Sequence, residues 1–350
     1  MGPKRSRSPS SQSGFTLVEI LVGLAIGMLL TLVILQVMSA FEAQTRSTTG
    51  TADAQTNGGI ALFTIAKELQ MTGYGLLPVV NSPLECTTLT VNGVADTTVP
   101  NRLTPVAITN GATSAGDTIT LRYGNSTSGG VPTTIGVMGA PTANDAAVGT
   151  NLGCQVGDIT LVTNGTTCAM SRVTAVSAVG VTPKTVTLAD TTAAMTNTNL
   201  ACLGTWNEIV YAVNNGNLER NGVPSVAGIV SLQAQYGIAA TAASNQVTQW
   251  VNSSAAPWLA PSVADRNRIK AVRIAIIARN AKMEMSDVTT ACSSTTTAAP
   301  TGLCAWEGSA ASPAPAIDLS IGDPNWRRYR YRVFETIIPL RNVIWARETL

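Results

Sequence analysis

The sequence predicts an α+β protein in which one long N-terminal helix packs on a β-rich globular domain with an antiparallel sheet. Two patterns support this fold class. An apolar run begins abruptly after Gly14 and passes into a segment with helical periodicity that ends near Met71. The rest of the 350 residues contains short β-prone runs that are separated by turn-forming residues, which is typical of strands.

The composition argues against several classes of function. Charged residues make up 12% of the chain and the net charge is +2, too weak a field to indicate nucleic acid as the main partner. The sequence contains no histidine, which is the commonest general base and metal ligand. It also contains no nucleophile elbow, phosphate loop, carboxylate cluster or calcium-loop pattern. We therefore expect neither an enzyme nor a cofactor or metal site.

The N-terminus has the features of a membrane anchor. Residues 1–13 are polar and basic, and the apolar stretch that follows from Phe15 to Phe41 is long enough for one bilayer span of roughly 30 Å. Positive charge before the stretch predicts that the leader stays in the cytoplasm and the rest of the chain lies outside. No small-residue cleavage site closes the run, so we expect the apolar segment to be retained.

The residues around the start of this span carry a specific motif. Glu19 is an acid near the start of the span, where a buried charge costs about 2.5 to 3.5 kcal/mol and needs a partner. The stretch from Gly14 to Glu19 (GFTLVE) closely resembles the prepilin signature of type IV pilins and type II secretion pseudopilins. The resemblance implies that a prepilin peptidase cleaves between Gly14 and Phe15, that Phe15 is N-methylated, and that Glu19 pairs with the new amino terminus of a neighbouring subunit. The alternative is a single-pass anchor with an incidental acid.

The chain is predicted to contain four segments. They are a leader peptide (1–14), a transmembrane and filament-core helix (15–41), an amphipathic continuation of that helix (42–75) and a periplasmic or extracellular β-rich domain (76–350). Gly58 and Gly59 are potential bends, and Gly23 and Gly27 favour either local unwinding or close helix packing. One face of the continuation is expected to be formed by Ile60, Phe63, Ile65, Ala66, Leu69 and Gln70.

Several segments of the domain are predicted to form strands. The best patterned part is a hairpin, in which a strand from Glu208 to Val213 and a strand from Asn217 to Arg220 flank the turn Asn214–Gly216. Alternation from Ala271 to Arg279 is expected to place Val272, Ile274 and Ile276 on one side. Further strands are predicted at Thr118–Tyr123, Asp158–Thr163, Thr185–Leu188 and Tyr329–Leu340.

The six cysteines are widely spaced and include no CxxC pair, which indicates a structural role. In a domain that is exported to an oxidising compartment they are expected to form disulfides. Sequence proximity favours Cys292–Cys304 and Cys154–Cys168, which leaves Cys86 to pair with Cys202. Six cysteines allow 15 connectivities, so this choice is a hypothesis that rests on sequence distance.

The resemblance extends beyond the signature. Five segments are similar to the PilW family of minor pilins: 66–75 (AKELQMTGYG), Ile209–Arg220, Ile229–Gly237, Ile269–Arg279 and Arg332–Asn342. The resemblance implies a minor pilin that primes or caps a type IV pilus used in adhesion, twitching motility or DNA uptake. The implied partners are the prepilin peptidase, other minor and major pilins, the inner-membrane assembly platform and, before assembly, membrane lipid. The implied location is the inner membrane, with the domain in the periplasm, and then the extracellular pilus.

Two other functions remain open at this stage. A weaker resemblance to the J-type pseudopilin of type II secretion makes a pseudopilus subunit the nearest alternative. A surface-binding or DNA-binding pilin is the second, because four arginines lie beside three aromatic residues in the segment 326–332 (WRRYRYR). Strand alternation would instead place these arginines on a solvated face opposite the tyrosines, so nucleic acid is not expected as a partner.

Overall fold

The computed structural model describes residues 14–76, 86–111, 116–138, 144–190, 198–254 and 256–344. The predicted leader, apart from Gly14, lies outside the described residues. The chain forms two compact units, Met1–Gly50 and Thr51–Leu350. The fold class is α+β, as predicted, with a long N-terminal helix followed by sheets in which nearly all neighbouring strands are antiparallel.

The helix α1 extends from Leu17 to Met71 and is continuous through Gly58 and Gly59. Within the second unit its buried face is formed by Ala54, Gly58, Ala61, Ile65 and Leu69, which recur at the three- and four-residue spacing of an amphipathic helix.

The prediction that Ile60 and Phe63 share a face with Ile65 is wrong, because these two side chains are 50% and 70% exposed. At about 100° per residue they lie on the opposite side of the helix from Ile65. Gln70, which belongs to the same predicted face, is also exposed.

The strands of the first half of the domain are β1 (Thr88–Val91), β2 (Val94–Ala95), β3 (Val106–Thr109), β4 (Thr118–Tyr123), β5 (Thr133–Met138), β6 (Asp145–Val148), β7 (Ile159–Thr163), β8 (Thr167–Val176) and β9 (Thr185–Leu188). Those of the second half are β10 (Asn199–Gly204), β11 (Asn207–Asn214), β12 (Asn217–Arg220), β13 (Val223–Ala227), β14 (Ile229–Ala239), β15 (Val247–Val251), β16 (Ile269–Arg279) and β17 (Tyr331–Pro339). Two short helices are α2 (Val263–Arg266) and α3 (Arg341–Ile344).

In the described part of the chain the strands form three sheets. The first has the order β2-β1-β8-β7-β10-β5-β6-β9, the second β13-β12-β11-β4-β3, and the third β15-β14-β16-β17. The predicted hairpin is β11 and β12, with Asn214 opposite Asn217. Among the described strands, β1 and β8 pair in parallel.

The Thr/Ala-rich middle of the chain forms a closed ring of strands. Because β9 pairs with β8 as well as with β6, the strands β8, β7, β10, β5, β6 and β9 return to their starting point. The ring encloses its own cluster of buried side chains, which includes Ile135, Val162, Val173, Val186 and Leu200. This region therefore has a core separate from the one that contacts α1.

The strand β16 in the third sheet is buried on both faces. Val272, Ile274 and Ile276 point to one side, as predicted, and join the cluster that includes α1. On the other side, Ala275 and Ile277 are covered by side chains of the segment 303–326. That covering layer consists mainly of Leu303, Ala305, Trp306, Ala314 and Trp326.

The disulfides differ from the predicted set in two of three pairs. Cys292 is bonded to Cys304, with a Cα–Cα distance of 4.8 Å. Cys86, however, is bonded to Cys168, and Cys154 to Cys202. Strand pairing explains both corrections. Leu89 lies opposite Cys168 in the parallel β1–β8 pair, and Cys202 on β10 lies beside β7, which follows the turn that contains Cys154.

Polar contacts attach the second half of α1 to the domain. Glu68 accepts hydrogen bonds from the hydroxyl of Tyr211 on β11 at 2.7 Å and from Nη2 of Arg220 on β12 at 2.9 Å. At the end of the helix, Nδ2 of Asn342 lies 3.2 to 3.3 Å from the carbonyl oxygens of Gln70, Met71 and Thr72. These carbonyl groups lack partners within the helix, so Asn342 caps its C-terminus.

Gly58 sets how closely α1 approaches the third sheet. A Cβ atom at Gly58 would overlap the ring of Phe334 on β17, whereas a Cβ at Gly59 would meet no atom within 4 Å. We expect Gly58→Ala to destabilise the domain by about 1 to 3 kcal/mol through overpacking. Gly59→Ala should be neutral or stabilise by up to about 1 kcal/mol, because alanine favours the helix. Urea unfolding of the two detergent-solubilised variants compares them, and equal effects would contradict this packing role.

A buried acid joins the second and third sheets. Asp117, directly before β4, accepts hydrogen bonds from the backbone N–H groups of Gly111 at 2.9 Å and Ala234 at 2.7 Å, and its own N–H donates to Leu232 O. Burial raises the pKa of this carboxyl group to about 6 despite the two hydrogen bonds. The folded state therefore binds a proton more tightly than the unfolded chain between about pH 4 and pH 6.

We expect the free energy of unfolding to decrease as the pH rises through this window, by up to about 3 kcal/mol from Asp117 alone. Asp117→Asn should remove this component, which would appear as a smaller fall in urea stability between pH 4 and pH 7. Asp318→Asn is the control. Hydrogen bonds from Ser320 lower the pKa of the exposed Asp318 carboxyl group, so its replacement should leave the fall intact. The same pH dependence in Asp117→Asn and the wild type would contradict the assignment.

Candidate assembly site

The predicted cleavage and assembly residues lie together at the start of α1. Gly14 and Phe15 precede the helix in exposed positions, and the Phe15 side chain is 81% exposed. The bond between them is therefore accessible in the isolated chain. Glu19 lies one helical turn after Phe15, which is the spacing that places i and i+4 side chains on the same face.

Thr16 caps the helix that carries Glu19. Its carbonyl oxygen accepts hydrogen bonds from the backbone N–H groups of Glu19 at 3.0 Å and Ile20 at 3.3 Å, and its hydroxyl oxygen is 3.4 Å from Glu19 N. This is the position of an N-cap, and Glu19 is the third residue of the helix. Sequence reasoning missed this role, although a threonine three residues before a glutamate is the capping-box pattern.

Glu19 lies in the first turn of the capped helix, but its charge has no ion-pair partner in the described chain. An acid in the first turn is favoured by the positive end of the helix dipole. The Glu19 side chain is exposed and forms no ion pair with any residue that the structure describes. A carboxylate so placed is available to a cation of another chain.

The apolar segment that follows also has no cover within the described chain. Leu17–Glu42 is a 26-residue stretch with a mean hydropathy of 2.6, long and apolar enough to cross a membrane, and none of it is buried. The large apolar side chains from Leu17 to Phe41 are all more than half exposed on every side of the helix. Lipid or the helices of other chains must cover this surface, because exposure of so much apolar surface to water is strongly unfavourable.

Gly23 and Gly27 lie within regular helix, and no atom lies within 4 Å of a Cβ placed at either position. The chain on its own is therefore not unwound at these glycines. Each leaves a place on the helix surface where another backbone could approach closely.

The arginine cluster is not arranged as predicted. Trp326–Arg328 forms a 3-10 helix and β17 begins only at Tyr331, so the arginines do not alternate with tyrosines along one strand. Arg330 pairs with Glu284 at 2.7 Å, and Arg328 Nε donates to the carbonyl oxygen of Glu284 at 2.9 Å. No group of three or more metal-ligating side chains occurs among the described residues.

Comparison with known proteins identifies two regions of this chain. The family model described as Type IV Pilus-assembly protein W matches residues 210–342, from β11 to α3. The prokaryotic N-terminal methylation motif matches residues 9–35, which include Gly14, Phe15 and Glu19. These matches confirm the resemblance to the PilW family of type IV pilus proteins and support a pilus-related structural subunit.

A solved type IV-like pilin from Thermus thermophilus aligns with this chain at a TM-score of 0.33 and 10% sequence identity, over 83% of this chain and 96% of that one. No curated protein matches the chain. The apolar helix and the methylation motif together indicate membrane anchoring through α1, with the globular domain outside the membrane.

Proposed function

We propose that this PilW-like chain is a minor pilin that primes or caps a type IV pilus. A prepilin peptidase cleaves it between Gly14 and Phe15, Phe15 is N-methylated, and the mature chain stays in the inner membrane with its domain in the periplasm until assembly. The observation that carries the proposal is the exposed 26-residue apolar helix, which has one unpaired acid in its first turn directly after the cleavage motif.

The pairing of Glu19 explains how the same helix serves in both membrane and filament. Cleavage creates an ammonium group at Phe15, and an ammonium and a carboxylate about 4 Å apart attract by roughly 4 kcal/mol at an effective dielectric constant near 20. This attraction offsets the desolvation of Glu19 and fixes the axial register of neighbouring subunits. The apolar side chains around Glu19 then pack against other helices instead of lipid.

Other minor and major pilins and the inner-membrane assembly platform are the proposed partners. The nearest competing function is a J-type subunit of a type II secretion pseudopilus, which would use the same helix. The match to the pilus-assembly family over residues 210–342 favours the pilus. Deletion of the gene is expected to abolish surface pili and leave type II secretion intact, and the opposite result would identify a pseudopilin.

We expect Glu19→Ala to separate membrane insertion from assembly. The variant should enter the membrane at least as well as the wild type, because a costly charge has been removed from the span. Its amount in sheared filaments should fall at least about tenfold, because the partner of the new amino terminus is lost. Quantitative immunoblots of membrane and filament fractions measure both.

Asp53→Ala is the matched control, since Asp53 is an exposed acid on α1 beyond the span. It should enter filaments in wild-type amounts. Normal incorporation of Glu19→Ala would refute the pairing role, and equal losses in both variants would show only a general need for acids on the helix.

A further inference from the structure

Two segments form a ridge at one end of the third sheet. Residues 280–289 follow β16, and residues 319–332 lead into β17 and include its first two residues; we call these two segments the basic rim. Backbone hydrogen bonds connect them, from Glu284 N to Arg328 O at 2.7 Å, Val288 N to Arg327 O at 2.8 Å and Asn280 N to Arg330 O at 2.9 Å. The rim is therefore a connected surface and not two separate loops.

The basic rim has an excess of positive charge. Its acids are mostly neutralised, since Asp323 pairs with Arg279 at 3.0 Å and Glu284 pairs with Arg330 at 2.7 Å, which leaves Asp287. Four cations of the rim have no carboxylate partner among the residues that the structure describes: Lys282, Arg327, Arg328 and Arg332.

Exposed apolar side chains lie among these cations. Met285 is 96% exposed and Ile321 69% exposed, and Met283 and Val288 are 47% and 38% exposed. The apolar face of the third sheet is already covered by other side chains, so these four are not needed for the core. A surface that combines cations with protruding apolar side chains suits the interface of an anionic membrane, where the charges meet headgroups and the apolar groups enter the acyl boundary.

The rim lies at the end of the domain where α1 enters it. The last residue of β16, Arg279, donates its backbone N–H to Gly228 O at 2.8 Å, and a Cβ at Gly228 would lie 3.6 Å from Nδ2 of Asn57 on α1. Along the chain, Asn57 follows the apolar span, which ends at Glu42. The rim therefore lies close to the first residues of α1 that belong to the second unit.

We propose that the basic rim binds the headgroups of anionic phospholipids before the subunit enters a filament. The inference rests on the proposed membrane-anchored state of the chain. Contact through the rim would hold the domain against the membrane surface and limit the orientations in which it meets other subunits. Extraction into a filament would then have to break these contacts as well as remove the helix from lipid.

The structure favours lipid over nucleic acid as the partner, because the aromatic side chains of the rim are not free to stack on bases. Trp326 is only 8% exposed, the ring of Tyr329 is covered by the guanidinium group of Arg279 at 4.5 Å, and the hydroxyl of Tyr331 donates to Trp326 O at 2.9 Å.

The test uses the full mature chain in nanodiscs. An environment-sensitive dye is attached to Met285→Cys, and its emission is compared in discs of phosphatidylcholine alone and discs that also contain about 30% phosphatidylglycerol. We expect roughly twofold higher emission with the anionic lipid, and loss of that increase in about 0.5 M NaCl because salt screens the attraction. The triple variant Lys282→Ser, Arg327→Ser, Arg332→Ser should show no increase.

The control variant Arg172→Ser, Lys184→Ser, Arg341→Ser removes the same charge from exposed positions outside the rim and should behave like the wild type. Equal emission in the two kinds of disc, or equal losses in both variants, would overturn the lipid contact while leaving the anchor intact. A chain that fails to enter discs would overturn the membrane anchor and this proposal together. If the rim variant loses affinity for single-stranded DNA but keeps its lipid response, the rim is a nucleic-acid site instead.

Discussion

The structure depends on one constraint: a single continuous helix, α1, must be stable in two different environments along its length. Over Leu17–Glu42 it presents apolar side chains on every side, so only lipid or other helices can cover this part. Beyond Thr51 it presents one narrow face of small and aliphatic residues to the domain. The close approach at Gly58 and the hydrogen bonds to Glu68 fix that face against the sheets. In the proposed function, the N-terminal part of the same helix exchanges lipid for the helices of other subunits.

The rest of the chain is organised around that face. The second and third sheets supply the core that contacts α1, and Asn342 near the end of the described chain caps the helix. The ring of strands formed by the Thr/Ala-rich middle has its own core and a disulfide between Cys154 and Cys202. It lies largely outside residues 210–342, the region that matches the pilus-assembly family. Within that matched region lie Tyr211, Arg220, Phe334 and Asn342, four of the residues that contact α1.

Local patterns in the sequence were sufficient for some features and insufficient for others. Two features could be predicted because each depends only on neighbouring residues: the motif at Gly14–Glu19 and the alternation of the strand Ile269–Arg279. The ring of strands could not be predicted, because it depends on pairings between strands that are distant in sequence, such as β10 with β5. The pairing of Cys86 with Cys168 follows from the same long-range topology, which sequence distance does not reveal. Ile60 and Phe63 were assigned to the buried face because they are apolar, but small residues form the contact there.

In the proposed function, α1 is processed in the membrane and then enters a filament. N-terminal sequencing by mass spectrometry of this chain, recovered from sheared extracellular filaments, tests it most directly. The recovered chain is expected to begin at Phe15 and to carry a methylated amino terminus. Recovery of a chain that still carries residues 1–13, or its absence from filaments while it remains in the membrane fraction, would refute processing and assembly through α1.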